Sequence, residues 1–525
     1  MAKVISSIVI LSFLLAFGYM FLIHSPKKIT KQNHVSVESS SKPVVMVIID
    51  SIMDEPMQSA ISNGKAPALE FLMKNGYYYP SMISSYPTMS VAIDSTLLTG
   101  TYPDQHKVPA LVWFDEKEQR LVSYGSAWKE IAKLGVKQVM RDSILNLNQR
   151  HLSMNVKTIH EELGLQSSSI NTLVYRGSHS RQLNVPRLFK YLGYLNENEE
   201  VPAPNYFSYG LLSKNDPDNK YTHFWQAFGF TDRFATKELT YLIQQDTLPS
   251  YSLVYLSDND KQVHKKGVYV TKGIEEADKH LQELLNLYSS CEEAIEKNTW
   301  VVMGDSGQTY IKNNKKEALI DLRKLLDTFK IHKIGEPVQN NDQIVLGLNE
   351  RMSFIYLLDK EISAEDILKL LKEDSRLDVM AWKEGKQVIV SKSGISGTLT
   401  FQPGGEYIDQ YGQSWSIDGN EKIMDLVLQE NEILYGDYPD GLARLYSSFF
   451  SHSGTFLIVN AKPGYEFIGE GSPRHVGGAS HGSLHKDDSH FPMIVAGTNI
   501  EPKHQRMVDL KEWVLRLVKD KEALK

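Results

Sequence analysis

Four short runs of unbroken apolar residues stand out along the chain: VVMVII (44–49), SLVYLS (252–257), WVVMG (300–304) and PMIVAG (492–497). Runs of this length without polar alternation fit strands buried on both faces of a parallel sheet. Between them the spacing turns helical, as in KGIEEADKHLQELLNLYSSCEEAIEKN (272–298). Strands alternating with helices predict an α/β fold with a doubly wound, mostly parallel sheet. Ligands in such sheets sit at the carboxyl ends of the strands. A different pattern occupies the middle of the chain. EISAEDILKLLKED (361–374) reads as a helix with an acidic start, and residues 379–394 read as a hairpin turning at Glu384-Gly385. These predict an inserted α+β cap over 311–400, dividing a core into a first part, 43–310, and a second part, 401–525.

The N-terminal pattern is different again. Val4 to Ile23 is predominantly apolar, carries no charged residue and is about the length that crosses a bilayer as a helix. Lys3 precedes it, Lys27, Lys28 and Lys31 follow, and no small-x-small cleavage site is evident. Residues 1–42 therefore read as a signal anchor with an N-terminal transmembrane helix and a polar tether. The lysines alone would place the C-terminal side inside. The segment nevertheless opens the chain as export signals do. The expectation is a single-pass membrane protein with its folded part extracytoplasmic, the alternative being secretion after cleavage.

A chain of 525 residues implies a large domain with insertions, or two domains. Net charge −7, with no basic run beyond the N-terminus, leaves no nucleic-acid footprint. The single cysteine, Cys291, excludes an internal disulfide and any cysteine-based metal site, so metal chemistry falls to carboxylates and the 16 histidines.

Those groups collect after the apolar runs. The first run ends in Asp50, the second is followed by Asp258, Asp260 and His264, and the third ends in Asp305. His481 and His485 lie just before the fourth. One Asp after a strand is commonly only a turn or cap residue; several such ends in one chain read as a site. Carboxylates and imidazoles suit divalent cations, and two such ions can neutralise and position a phosphoryl group. Ser90, in SYPTMSVAIDSTLLTG (85–100), opens a helix. It is either an ordinary N-cap or a nucleophile aimed at an anion held by the helix N-terminus. His106 reads as structural, and His475 and His490 as solvent-facing.

The order VIID (47–50), PTMS (87–90), TGTYPDQH (99–106), DKQVH (260–264), GDSG (304–307) and SHGSL (480–484) resembles the type I phosphodiesterase/nucleotide pyrophosphatase family of the alkaline phosphatase superfamily. The resemblance implies an alkaline phosphatase-like fold and two divalent metal ions, usually zinc. Asp50 and Asp305 would hold one ion beside the Ser90 oxygen; Asp260, His264 and His481 would hold the other. Ser90 would attack phosphorus and form a phosphoryl-enzyme intermediate. The implied activity is metal-dependent hydrolysis of phosphate esters, foremost phosphodiesters. Phosphomonoester, sulfate-ester or phosphonate hydrolysis on the same scaffold is the alternative, as is a catalytically impaired envelope binding protein. The expected partners are a phosphate-ester substrate and, through the N-terminal helix, a membrane. Two departures stand out. Ser306 replaces the imidazole of the family's Asp-His-Gly, so that site would be weaker, recruit another histidine such as His485, or take Mn²⁺ or Mg²⁺. Leu111 stands where nucleotide-hydrolysing relatives carry an asparagine.

Overall fold

The computed structural model describes residues 42–519. Its central sheet has seven strands: β1 (Val44–Ile49), β2 (Gly76–Ile83), β3 (Ser167–Ile170), β4 (Tyr206–Ser208), β5 (Tyr251–Leu256), β6 (Thr299–Met303) and β7 (His490–Ala496). Their order is β2-β7-β6-β1-β5-β3-β4. Strand β1 pairs in parallel with β6 (Val44 opposite Thr299) and with β5 (Val44 opposite Tyr251). The sheet is mixed, because β7 runs antiparallel to both β6 and β2. The PMIVAG run signalled burial correctly but not direction: strand sense leaves no trace in a segment covered on both faces.

The double winding is visible within β1. Val44, Met46 and Ile48 enter one core with Val91, Ile93 and Leu97, while Val45, Val47 and Ile49 enter another with Leu69, Leu239 and Leu281. This is the two-residue period of a strand read by helices on opposite faces. The helical stretch 272–298 divides into Lys272–Leu285 and Cys291–Lys297, the second capped by the Ser290 side chain.

A second, largely antiparallel sheet of nine strands runs from Ile344–Asn349 to Phe456–Ala461. It contains the expected hairpin, with Val379 opposite Lys392 and Glu384 opposite Gln387. It takes strands from both sides of residue 400, so residues 311–400 hold only part of it. The span expected over Val4–Ile23 lies outside the described residues. Among the described residues, no helix is long and apolar enough to cross a membrane.

Candidate metal centre and nucleophile

The parallel strands β1, β5 and β6 bring Asp50, the helix α2 (Asp258–Lys266) and Asp305 to one edge of the sheet. Helix α1 (Ser90–Thr99) starts at the same edge, following β2. Met89, not Ser90, occupies its N-cap, and no side chain caps it. Ser90 therefore stands in the first turn, with its hydroxyl outside the capping role. The Tyr255 hydroxyl joins this group to the acids. It donates to Asp305 Oδ2 at 3.0 Å, with the Ser90 and Asp50 side chains beside it.

Asp260 and His264 lie four apart on α2, hence on one helical face. His264 Nε2 is 3.1 Å from Asp260 Oδ1, and a donor atom from each of Asp260, His264 and His481 lies within 4.8 Å of the others. Both imidazoles are pre-oriented. His264 Nδ1 donates to the Ala479 carbonyl at 2.8 Å, and His481 Nδ1 to the carbonyl of Thr88. An Nδ1–H fixed on a backbone carbonyl leaves Nε2 as the free ligand atom, the usual second-shell arrangement of metal-binding histidines. The loop carrying His481 is locked by glycine. Gly482 has φ 115°, and a Cβ there would strike the Asn349 carbonyl.

Six residues missed in the sequence organise this site. Ser51, in the left-handed region at φ 55°, donates its N–H to Asp305 Oδ1 (2.9 Å) and its hydroxyl to Asp260 Oδ1 (3.0 Å). Gln308 Nε2 donates to Ser51 Oγ (2.9 Å) and to Asp260 Oδ1 (2.7 Å). Tyr255 faces the site from β5. Glu350 accepts from the Ser480 hydroxyl at 2.7 Å, with the imidazoles of His264, His475 and His481 around it. His475 is not solvent-facing: its ring stacks on His264 at 4.2 Å and its Nδ1 is 2.9 Å from Glu466. Tyr255 lies within an apolar run, Ser51 and Gln308 directly follow a recognised motif, and His475 precedes His481 in the same loop; Glu350 and Glu466 lie far from any.

The electrostatics divide the site in two. Burial, then the neighbouring Asp305 and Asp260 charges, push Asp50 well above the usual carboxylate range, and burial likewise raises Asp305. Burial would also raise Asp260, but the His264 imidazole overrides it and holds that carboxyl low. Burial opposes charge on His264, yet Asp260 and Glu350 raise it to about 10. Crowded, desolvated carboxylates of this kind call for a cation. The Asp260–His264–His481 set could hold a cation, and the Asp50 and Asp305 carboxylates lie beside it. Ser306 Oγ and Gln308 Oε1 are buried and without hydrogen-bond partners, on residues that contact Asp305 and Asp260 through the Ser306 N–H and Gln308 Nε2.

The remaining candidates lie elsewhere. Asp258 faces Asp232, whose backbone N–H it accepts at 3.1 Å, and Lys261 at 2.7 Å. His485 caps the short Lys486–Ser489 helix beside Asp437, and so does not replace the missing imidazole. His106 is structural: its ring lies between Thr96 Oγ1 (3.2 Å) and the Val108 N–H (3.1 Å). His490 is half-buried on β7. Leu111 packs against the core.

The fold is α/β with a mixed central sheet, and the protein is a hydrolase acting on phosphate-ester bonds. Residues 44–483 match type I phosphodiesterase/nucleotide pyrophosphatase, and the chain belongs to that family. No curated protein sequence matches the chain significantly. Among solved structures, the fold is similar to human ectonucleotide pyrophosphatase/phosphodiesterase 5, with TM-score 0.54 and 14% identity over 91% of this chain and 95% of that one. An inactive murine counterpart in complex with AMP gives TM-score 0.53 and 12% identity, with the same coverage. Phosphonoacetate hydrolase from Sinorhizobium meliloti 1021 in complex with phosphonoformate gives TM-score 0.52 and 14% identity, over 94% of this chain and all of that one.

Proposed function

We propose that the protein is a phosphodiester hydrolase with Ser90 as nucleophile, dependent on two divalent ions. The observation that carries the reading is the convergence of Ser90, Asp50, Asp305 and the Tyr255 hydroxyl beside an Asp260–His264–His481 set whose imidazoles present Nε2. Bound there, divalent ions would favour ionisation of the Ser90 hydroxyl and offset phosphate charge. Asp50, Asp305 and the Ser90 oxygen would hold one ion, and Asp260, His264 and His481 the other, zinc suiting the nitrogen-containing set.

The chain's own residues supply positioning. The Ser90 and Val91 N–H groups precede the first hydrogen bonds of α1, those of Ala92 and Ile93 to the Met89 carbonyl, and would face a phosphate that Ser90 attacks. Tyr255 holds Asp305 and reaches Ser90, keeping nucleophile and acid in register. Attack forms a Ser90–phosphorus bond and breaks the bond to the first leaving alcohol; water then cleaves the phosphoserine. Leu111 offers no hydrogen bond to phosphate, so substrate recognition would differ from that of nucleotide-hydrolysing relatives.

The test is side-by-side turnover of bis-p-nitrophenyl phosphate, p-nitrophenyl phosphate and a phosphonate monoester, with added Zn²⁺ or Mn²⁺ and with EDTA. The reading expects metal-dependent cleavage, fastest on the diester and abolished by Ser90→Ala. Faster monoester or phosphonate cleavage would move the assignment to those chemistries on the same scaffold. No cleavage of any substrate would favour an impaired binding protein. We also propose that Val4–Ile23 anchors the protein in the cell membrane with residues 43–525 outside. Release of the chain into the soluble fraction without detergent would count against this.

A further inference from the structure

The two halves of the site differ in donor chemistry. One has two nitrogens and a carboxylate; the other has no nitrogen, because Ser306 stands where the family has histidine. Two buried atoms there lack partners: the Ser306 hydroxyl oxygen and the Gln308 amide oxygen. Gln308 sits among the acids, its Nε2 donating to Asp260 Oδ1 and to Ser51 Oγ, while Ser51 in turn binds Asp305 Oδ1 through its N–H. A buried polar atom without a partner is costly, and both of these are acceptors. The Ser51 hydroxyl that Gln308 contacts lies 3.4 Å from Asp50 Oδ1, and the Ser306 N–H donates to Asp305 Oδ1 at 2.8 Å, so the residues that carry both orphaned oxygens reach the Asp50–Asp305 side. What such a place lacks is a positive charge that takes oxygen ligands.

We propose that the Asp50–Asp305 half is an all-oxygen site, completed by the Gln308 amide oxygen and the Ser306 hydroxyl, that takes a hard divalent cation, Mn²⁺ or Mg²⁺. The Asp260–His264–His481 half takes zinc, so the centre holds two different metals. Carboxylate, amide and hydroxyl oxygens suit Mg²⁺ and Mn²⁺, and imidazole suits zinc; ligand type separates the ions where raw affinity would favour zinc at both. The inference rests on the two-metal reading of the proposed function.

The experiment uses the full-length chain in detergent, stripped by chelation. It is dialysed against Zn²⁺ and Mn²⁺ together, then measured by elemental analysis and by the electron paramagnetic resonance of bound Mn²⁺. The wild type is expected to hold one zinc and one manganese. Ser306→His is expected to exchange the manganese for a second zinc. Gln308→Leu is expected to lower the Mn²⁺ affinity relative to that for Zn²⁺ by at least about tenfold, the loss that even an outer-shell partner produces. Two zinc ions in the wild type, or unchanged Mn²⁺ affinity in Gln308→Leu (as if a buried water served that oxygen), would overturn the inference while leaving the hydrolase reading intact. A folded wild type that holds no metal would overturn both.

Discussion

The Nδ1 of His481 hydrogen-bonds the carbonyl of Thr88, two residues before Ser90. The histidine of the candidate metal centre and the loop that carries the proposed nucleophile are therefore one mechanical unit. A second link runs the same way, from the Gly482 N–H to Thr88 Oγ1 at 2.7 Å. Thr88→Val keeps the shape and deletes this acceptor, leaving a buried N–H unsatisfied at a cost of about 1–3 kcal/mol. The expected result is a lower urea midpoint together with a kcat loss larger than any change in KM, since the substitution disturbs registry rather than substrate contact. Unchanged kcat in a destabilised variant would show that the link serves stability alone.

Ser90→Ala removes one oxygen from a first-turn position that no capping bond depends on. Folding should be unaffected, with thermal stability within about 0.5 kcal/mol of wild type. Diester turnover should fall at least about a thousandfold, as removal of a covalent nucleophile does. Residual turnover near the wild-type level would exclude Ser90 as the attacking group.

Much of this site was legible because its residues follow strands. Asp50 and Asp305 are fixed by where β1 and β6 end, and Asp260 and His264 by a four-residue spacing that any helix places on one face. The Glu350–His475–Glu466 cluster was not legible. Its members come from a turn, a loop and a short strand, brought together by the second sheet and the loop before His481. No periodic pattern encodes such a meeting. The antiparallel sense of β7 was hidden for a related reason: apolar runs report burial, and direction is decided by connections.

Arg351 and Asp488 form a fully buried ion pair behind the His481 loop. Arg351 donates its backbone N–H to the His481 carbonyl at 3.0 Å, and Asp488 Oδ2 accepts from the Ser483 N–H at 2.7 Å. Removing one charge strands the other in a medium that cannot solvate it, so Asp488→Asn or Arg351→Met should each cost about 3–5 kcal/mol. The double variant Arg351→Met/Asp488→Asn should cost clearly less than the two single losses added together, because neither charge is left alone. Additive losses in urea unfolding would mean that the pair's worth lies in its separate hydrogen bonds to Thr309, Ala461 and Ser483 rather than in the charge pairing.

Acid sensitivity should come from histidines outside the site. Burial pushes His106, His160 and His452 each down to about 3. The folded state thus keeps them neutral, while the unfolded chain protonates them near 6.5. Between those values the unfolded state binds more protons, so stability is fully present above about pH 6.5 and is lost as pH falls toward 3. Each histidine contributes a slope of about 1.4 kcal/mol per pH unit across that window. His160 isolates the effect, because neither ring nitrogen has a hydrogen-bond partner and the ring packs against Tyr251 at 5.8 Å. His160→Phe should leave the urea midpoint at pH 7.5 unchanged or raised, since an unsatisfied polar ring is replaced by an apolar one. The fall of that midpoint between pH 6 and pH 5 should become shallower. An identical pH profile in the variant would mean that His160 titrates alike in the folded and unfolded states, and so is not held neutral by burial.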